Sequence, residues 1–143
     1  MKYETGKSFD ELNIGDEASF SKTISETDVY LFAGIIGDFN PVHVNEEYAK
    51  TTPFKSRVAH GGIPMSLCGS IVGMKMPGPG TVATDVYIKF LRPTYIGDTI
   101  TATGKIVEKT ADRKRIKVAL TFVNQNDDMV CEGWIQVIPP KGP

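Results

Sequence analysis

Asp38 and His43 stand five residues apart in the stretch Gly37-Asp38-Phe39-Asn40-Pro41-Val42-His43. A histidine changes charge near neutral pH, so it can give or take a proton. A carboxylate beside it can accept a proton or hold a water. The two together supply an acid and a base without a metal. On a regular helix a spacing of five would put them on different faces. A loop held by Pro41 and by the Asn40 side chain brings them onto one atom. The same residues also make an ordinary turn, because Asp and Asn bond readily to nearby backbone. Residue types alone leave both readings open.

A second point of chemistry is His60-Gly61-Gly62, just before Ile63-Pro64. This is the predicted start of a strongly apolar helix, where free N–H groups point outward and favour negative charge. Glycine lets a ligand oxygen approach closely. Such a place can hold an oxygen that gains charge during a reaction. A plain helix-starting turn with a structural His60 is the alternative.

The elements that must position these residues are legible from period and punctuation. Glu17 to Ser25 reads as a weak first strand. Thr27-Asp28 offers helix-capping oxygens, and Val29, Phe32, Ala33 and Ile36 follow at helical spacing. Gly37 is a plausible stop. Asn40-Pro41 predicts a turn or extended backbone, and Asn45-Glu46-Glu47 starts a short helix to about Lys50. Thr51 to His60 reads as a loop. Met65, Leu67, Cys68, Ile71, Val72, Met74 and Met76 predict one buried helix, apolar almost all round. Ser66, Gly69, Ser70 and Gly73 run along it as a stripe of small residues that admits another backbone. Pro77-Gly78-Pro79-Gly80 ends it.

After Pro77 the period changes to two. Val82, Thr84, Val86, Ile88 and Phe90 are expected on one face of a strand. Ile100, Ala102, Gly104 and Ile106 mark the next, and Ile116, Val118, Leu120 and Phe122 the clearest one. Ala111-Asp112-Arg113 is a hairpin candidate, Asn124 to Asp128 a turn, and Val130 to Val137 a last strand carrying Trp134. The economical architecture is α+β, an antiparallel sheet wrapped around one central buried helix. Its edge strands call for a partner, so a homodimer or a higher homo-oligomer built from dimers is expected.

Composition narrows the function classes. The 143 residues suit one domain spanning 1–143. Sixteen basic against 17 acidic residues give a net charge of −1, with no basic run to attract nucleic acid or an anionic membrane. No stretch approaches the apolar length needed to span a bilayer, and no secretory signal is visible, so a cytoplasmic protein is expected. Cys68 and Cys131 sit among apolar residues and read as reduced. With two histidines and no CxxC pair, a zinc site would need carboxylates, and no metal is expected.

Taken together, Phe32-Ala33-Gly34-Ile35-Ile36-Gly37-Asp38-Phe39-Asn40-Pro41-Val42-His43, then Ala49, then Val58-Ala59-His60-Gly61, resemble the MaoC-like (R)-specific enoyl-CoA hydratase family. Pro77-Gly78-Pro79-Gly80-Thr81, Phe90-Leu91-Arg92-Pro93 and Gly97-Asp98 extend the similarity over most of the chain. The resemblance implies a single hot-dog domain and a hydro-lyase that needs no cofactor. It implies (R)-specific hydration of trans-2-enoyl-CoA to (R)-3-hydroxyacyl-CoA, and the reverse dehydration. In that scheme Asp38 and His43 activate one water, Asn40 orients them, and the Gly61 N–H binds the thioester oxygen beside His60. Met65, Ser66 and Arg92 are placed as substrate contacts, and the carrier is coenzyme A or acyl carrier protein.

The sequence departs from the family at Gly69, where some relatives place a serine. Met65, Met74 and Met76 are expected to close the acyl tunnel to a short chain. Lys55, Arg57, Lys75, Lys89 and Arg92 are candidates for phosphate or carrier contact. Two rivals stay open, a hot-dog acyl-CoA thioesterase and a non-catalytic acyl-binding module. Thioesterases of this fold generally carry a carboxylate on the central helix, and Gly61 to Met76 contains no Asp or Glu.

Overall fold

In the computed structural model, residues 3–142 are described. After a single turn at Phe9–Glu11, the chain runs β1 (Glu17–Thr23), α1 (Glu26–Ile36), α2 (Pro41–Val44), α3 (Glu46–Lys50), α4 (Gly62–Ser66) and α5 (Cys68–Met74). It continues as β2 (Val82–Phe90), β3 (Thr99–Thr110), β4 (Arg115–Val123) and β5 (Met129–Ile138). The strands form one antiparallel sheet in the order β1-β3-β4-β5-β2.

The clearest alternation in the sequence makes the deepest strand. Ile116, Val118, Leu120 and Phe122 of β4 are at most 1% exposed. Ile100, Ala102 and Ile106 of β3 join them on the same face, and Ile71 and Val72 of α5 cover it. Each large apolar side chain fully buried in this way contributes about 1.5–3 kcal/mol. The hairpin between β3 and β4 turns at Asp112–Lys114, as expected.

Four local expectations need correction. Helix α1 starts earlier than Thr27-Asp28 suggested. Its cap is Ser25, whose hydroxyl accepts the Asp28 N–H at 3.1 Å while the Asp28 carboxylate accepts the Ser25 N–H at 2.8 Å. Asp28 is thus the second half of a capping box, not the cap itself. The turn expected at Asn40-Pro41 is present, as a helical turn that Pro41 opens, with the Asn40 side chain accepting the Val42 N–H.

The central helix is two short pieces rather than one. They meet at Leu67, whose N–H reaches back three residues to the Pro64 carbonyl at 3.2 Å and tightens the turn. Among the described residues, no backbone closes on the two glycines of the small-residue stripe. A Cβ built on Gly69 or Gly73 would touch nothing within 4 Å.

Strand β2 keeps its predicted limits but not its predicted burial. Val82, Val86 and Phe90 are 59%, 50% and 54% exposed. The register slips between Ala83 and Asp85, which breaks the alternation. β2 is also an edge strand, and its neighbour β5 is on one side only. Among the described residues, no helix is long and apolar enough to cross a membrane.

Candidate active site

Asp38 follows directly on the end of α1. Gly37 takes the left-handed conformation, φ 75°, and its N–H closes the helix on the Ala33 carbonyl. That reversal turns the next residue away from the helix axis, which glycine permits at little cost. The Asp38 Oδ1 accepts the Asn40 N–H at 3.0 Å. Asn40 then caps α2, and this turn carries His43 back over Asp38. The spacing of five is bridged by a reversal plus one helical turn.

The His43 ring is fixed by its far nitrogen. Nδ1–H donates to the Val58 carbonyl at 2.7 Å. A carbonyl only accepts, so the proton of the neutral ring sits on Nδ1 and Nε2 is left bare. Nε2 lies 3.8 Å from Asp38 Oδ2, too far for a direct hydrogen bond. The two groups face one another across a gap that fits a shared small molecule. Their side chains are 13% and 44% exposed, so one is sheltered and the other open to solvent.

His60 lies beneath both. It is 3% exposed. Its Nε2–H donates to the main-chain carbonyl of Asp38 at 2.9 Å. Its ring stacks on that of His43, with centroids 3.9 Å apart and planes 30° from parallel. Phe32 of α1 closes the other side at 5.2 Å.

These groups border a cavity of about 570 Å³, whose wall also includes Gly61, Phe90 and Arg92. No acceptor among the described residues takes the N–H of Gly61 or Gly62. Both positions exclude side chains. A Cβ on Gly61 would come within 2.7 Å of the Phe90 ring, and one on Gly62 within 2.5 Å of the Phe32 ring. The two glycines therefore present bare backbone between aromatic walls.

Asp38, His43 and His60 offer ligand atoms within 4.8 Å of one another, the donor types of a metal site. The hydrogen bonds argue against that use. His60 Nε2 carries a proton committed to the Asp38 carbonyl, and its Nδ1 is buried. Only His43 Nε2 and the Asp38 carboxylate remain as donors, fewer than the three protein ligands of a catalytic zinc.

The other sequence candidates scatter. Arg92 lines the cavity and donates to the Met129 carbonyl at 3.2 Å. Asn40 serves the backbone of α2. Ser66 donates to the Ile63 carbonyl on the outer side of α4. Met65 lines a separate hollow with Cys68 and Val86 under β2. Met74 is 71% exposed and Met76 is in the core, so neither borders the cavity. Arg57 is engaged by Glu26 at 2.8 Å, Glu46 at 3.1 Å and the Tyr30 hydroxyl. The Tyr30 hydroxyl, and then Arg57, hold the Glu26 carboxyl below its ordinary range. Arg57 thus ties the loop before Val58 to α1 and α3. Sequence reading gave Val58 a place in the motif but no role, because its contribution is a main-chain carbonyl that no residue type announces.

Comparison with known proteins bears on the family and the fold. A family model described as "MaoC like domain" matches residues 11–127. The chain is 41% identical to an (R)-specific enoyl-CoA hydratase of Rhodospirillum rubrum, over 92% of this chain and 91% of that protein. It is 36% identical to a 3-hydroxybutyryl-CoA dehydratase of Methylorubrum extorquens, over 93% of this chain and 84% of that protein. Among solved structures it superposes on the R-hydratase PhaJ1 of Pseudomonas aeruginosa with a TM-score of 0.91 and 33% identity, covering 96% of this chain and 88% of that one. A sheet wrapped on a central helix is the hot-dog arrangement of these hydro-lyases, and the chain belongs to the MaoC-like dehydratase family.

Proposed function

We propose that the protein catalyses reversible (R)-specific hydration of a trans-2-enoyl-CoA to the (R)-3-hydroxyacyl-CoA. The observation that carries this reading is the 3.8 Å gap between the bare His43 Nε2 and Asp38 Oδ2, beside a cavity that Gly61 and Gly62 also line. A water in that gap donates one hydrogen to the Asp38 carboxylate and the other to His43 Nε2. Its oxygen adds to the β-carbon, and the proton taken by His43 passes to the α-carbon on the same face. The Gly61 N–H holds the thioester oxygen while it carries enolate charge, where a preorganised donor is worth most. His60 and Arg92 complete the wall. Coenzyme A is the carrier in the names of both relatives given above, and this supports the same carrier here.

The protein acts as a homodimer in this reading, since β2 leaves an apolar edge uncovered. Two buried, free cysteines suit a reducing, cytoplasmic setting.

The test is direct. Purified protein mixed with crotonyl-CoA should deplete the enoyl absorbance without releasing free thiol. Asp38→Asn and His43→Ala should each lower kcat by about 100-fold or more. Thiol release without hydration would support a thioesterase instead, and an Asp38→Asn variant at full rate would remove Asp38 from the mechanism.

A further inference from the structure

Asp38 and His43 do not hold each other, because 3.8 Å is beyond hydrogen-bond reach. Something else sets their separation. The His43 ring is tied to the Val58 carbonyl, and the Asp38 main chain is tied to the His60 ring. Both ties end on one stretch of chain, and the next residue along it is Gly61. That stretch is itself anchored. The Val58 N–H donates to the Val42 carbonyl at 3.2 Å, and the Ala59 N–H donates to the Thr94 carbonyl at 2.7 Å.

From this we infer that His60 is a positioning residue, whose Nε2–H pins the Asp38 carbonyl so that the segment Val58–Gly61 sets carboxylate, imidazole and glycine N–H in one register. The inference rests on the hydratase reading for its kinetic consequence. It names a role for a side chain that does not itself meet the reacting atoms.

The chemistry of the ring supports the role. Stacking on His43 and packing against Phe32 are jobs a phenylalanine would do equally well. An imidazole here carries a penalty, since Nδ1 is buried and has no hydrogen-bond partner. What the imidazole adds over a phenyl ring is the N–H to Asp38. No other group among the described residues bonds that carbonyl, and no backbone acceptor takes the Asp38 N–H. Gly37, on the other side of Asp38, is the residue least able to resist rotation. Without His60, the remaining restraint on the Asp38 carboxylate is its own short turn to Asn40. A displacement of about 1 Å in such a group costs on the order of 100-fold in rate.

The experiment compares His60→Phe, which keeps the ring and loses the donor, with His60→Gln, which keeps a donor of similar reach. Hydration of crotonyl-CoA, thermal melting and nitrogen-15 NMR of the imidazoles are measured on the full chain. The expected result is a folded His60→Phe variant with kcat reduced about 100-fold and KM changed little. His60→Gln should recover at least tenfold of that loss. In the wild type, the His60 proton should reside on Nε2 and exchange slowly with solvent. A folded His60→Phe variant with wild-type kcat would overturn the inference, as would a His60→Gln variant no faster than it. A proton on Nδ1 would also overturn it. If His60→Phe does not fold, His60→Gln and the NMR assignment still decide. If the wild type hydrates nothing, the hydratase reading falls, while the NMR result alone reports whether His60 holds Asp38.

Discussion

Gly61 shows how much of this site is backbone. Its missing side chain is a requirement of space, because the Phe90 ring occupies the position a Cβ would need. Gly61→Ala should push that ring into the cavity and lower kcat/KM for crotonyl-CoA by roughly 10- to 100-fold, with the fold unchanged by circular dichroism. Gly69→Ser is the contrast. A Cβ there meets nothing, so its melting curve should match the wild type within the reach of about 0.5 kcal/mol. A serine-dependent loss of stability would show that the surface over α5 is filled. At this scale the sequence displayed Asp38, His43 and the two glycines by type. It hid the Val58 carbonyl and the two-way engagement of His60, because hydrogen bonds to main chain leave no mark in composition.

The helices owe their positions to short-range chemistry that a sequence records well. The box between Ser25 and Asp28 sets where α1 begins, and hence where Gly37 ends it and Asp38 emerges. Ser25→Ala should cost about 1 kcal/mol, lowering Tm by about 3–5 °C in a thermal melt. Burial raises the pKa of Asp28, but the Ser25 N–H, Lys22 and the Ser25 hydroxyl outweigh it and leave the value lowered. A carboxyl depressed on folding contributes stability above its unfolded value and loses it as pH falls through the folded one. The Tm gap between wild type and Asp28→Ala should therefore begin to close below the ordinary 3.8. A gap independent of pH would mean the charge plays no part. The central helix was harder to read. Apolar periodicity runs unbroken through Leu67, and only the backbone bond to Pro64 reveals the tightening there.

On the scale of the whole molecule, the unburied side of β2 is the largest departure from expectation. Its apolar residues alternate as if for a core, yet the described residues supply no layer to cover them. In sedimentation equilibrium the wild type should weigh twice the chain mass, and Val86→Lys should shift it toward the monomer. A monomeric wild type would defeat the dimer proposal. The interior is less equivocal. Cys68 and Cys131 are both buried and free, and burial, with a smaller contribution from Cys68, pushes the Cys131 thiol up to about 12. Neither is suited to act as a nucleophile at neutral pH.

Local rules in the sequence determined the strands of the sheet, the stop at Gly37, the presence of an Asp and a His beside it and the bare glycines. Each of these follows from side-chain period or from one residue's backbone freedom. Tertiary structure alone decided how far apart Asp38 and His43 stand, which nitrogen of each histidine carries the proton, and that β2 faces outward. Those depend on residues such as Val58 and His60, distant in sequence from Asp38 and brought near it only when the sheet closes on the helix. A separation held by two main-chain carbonyls is a property of packed backbone, and it exists only once the chain has folded.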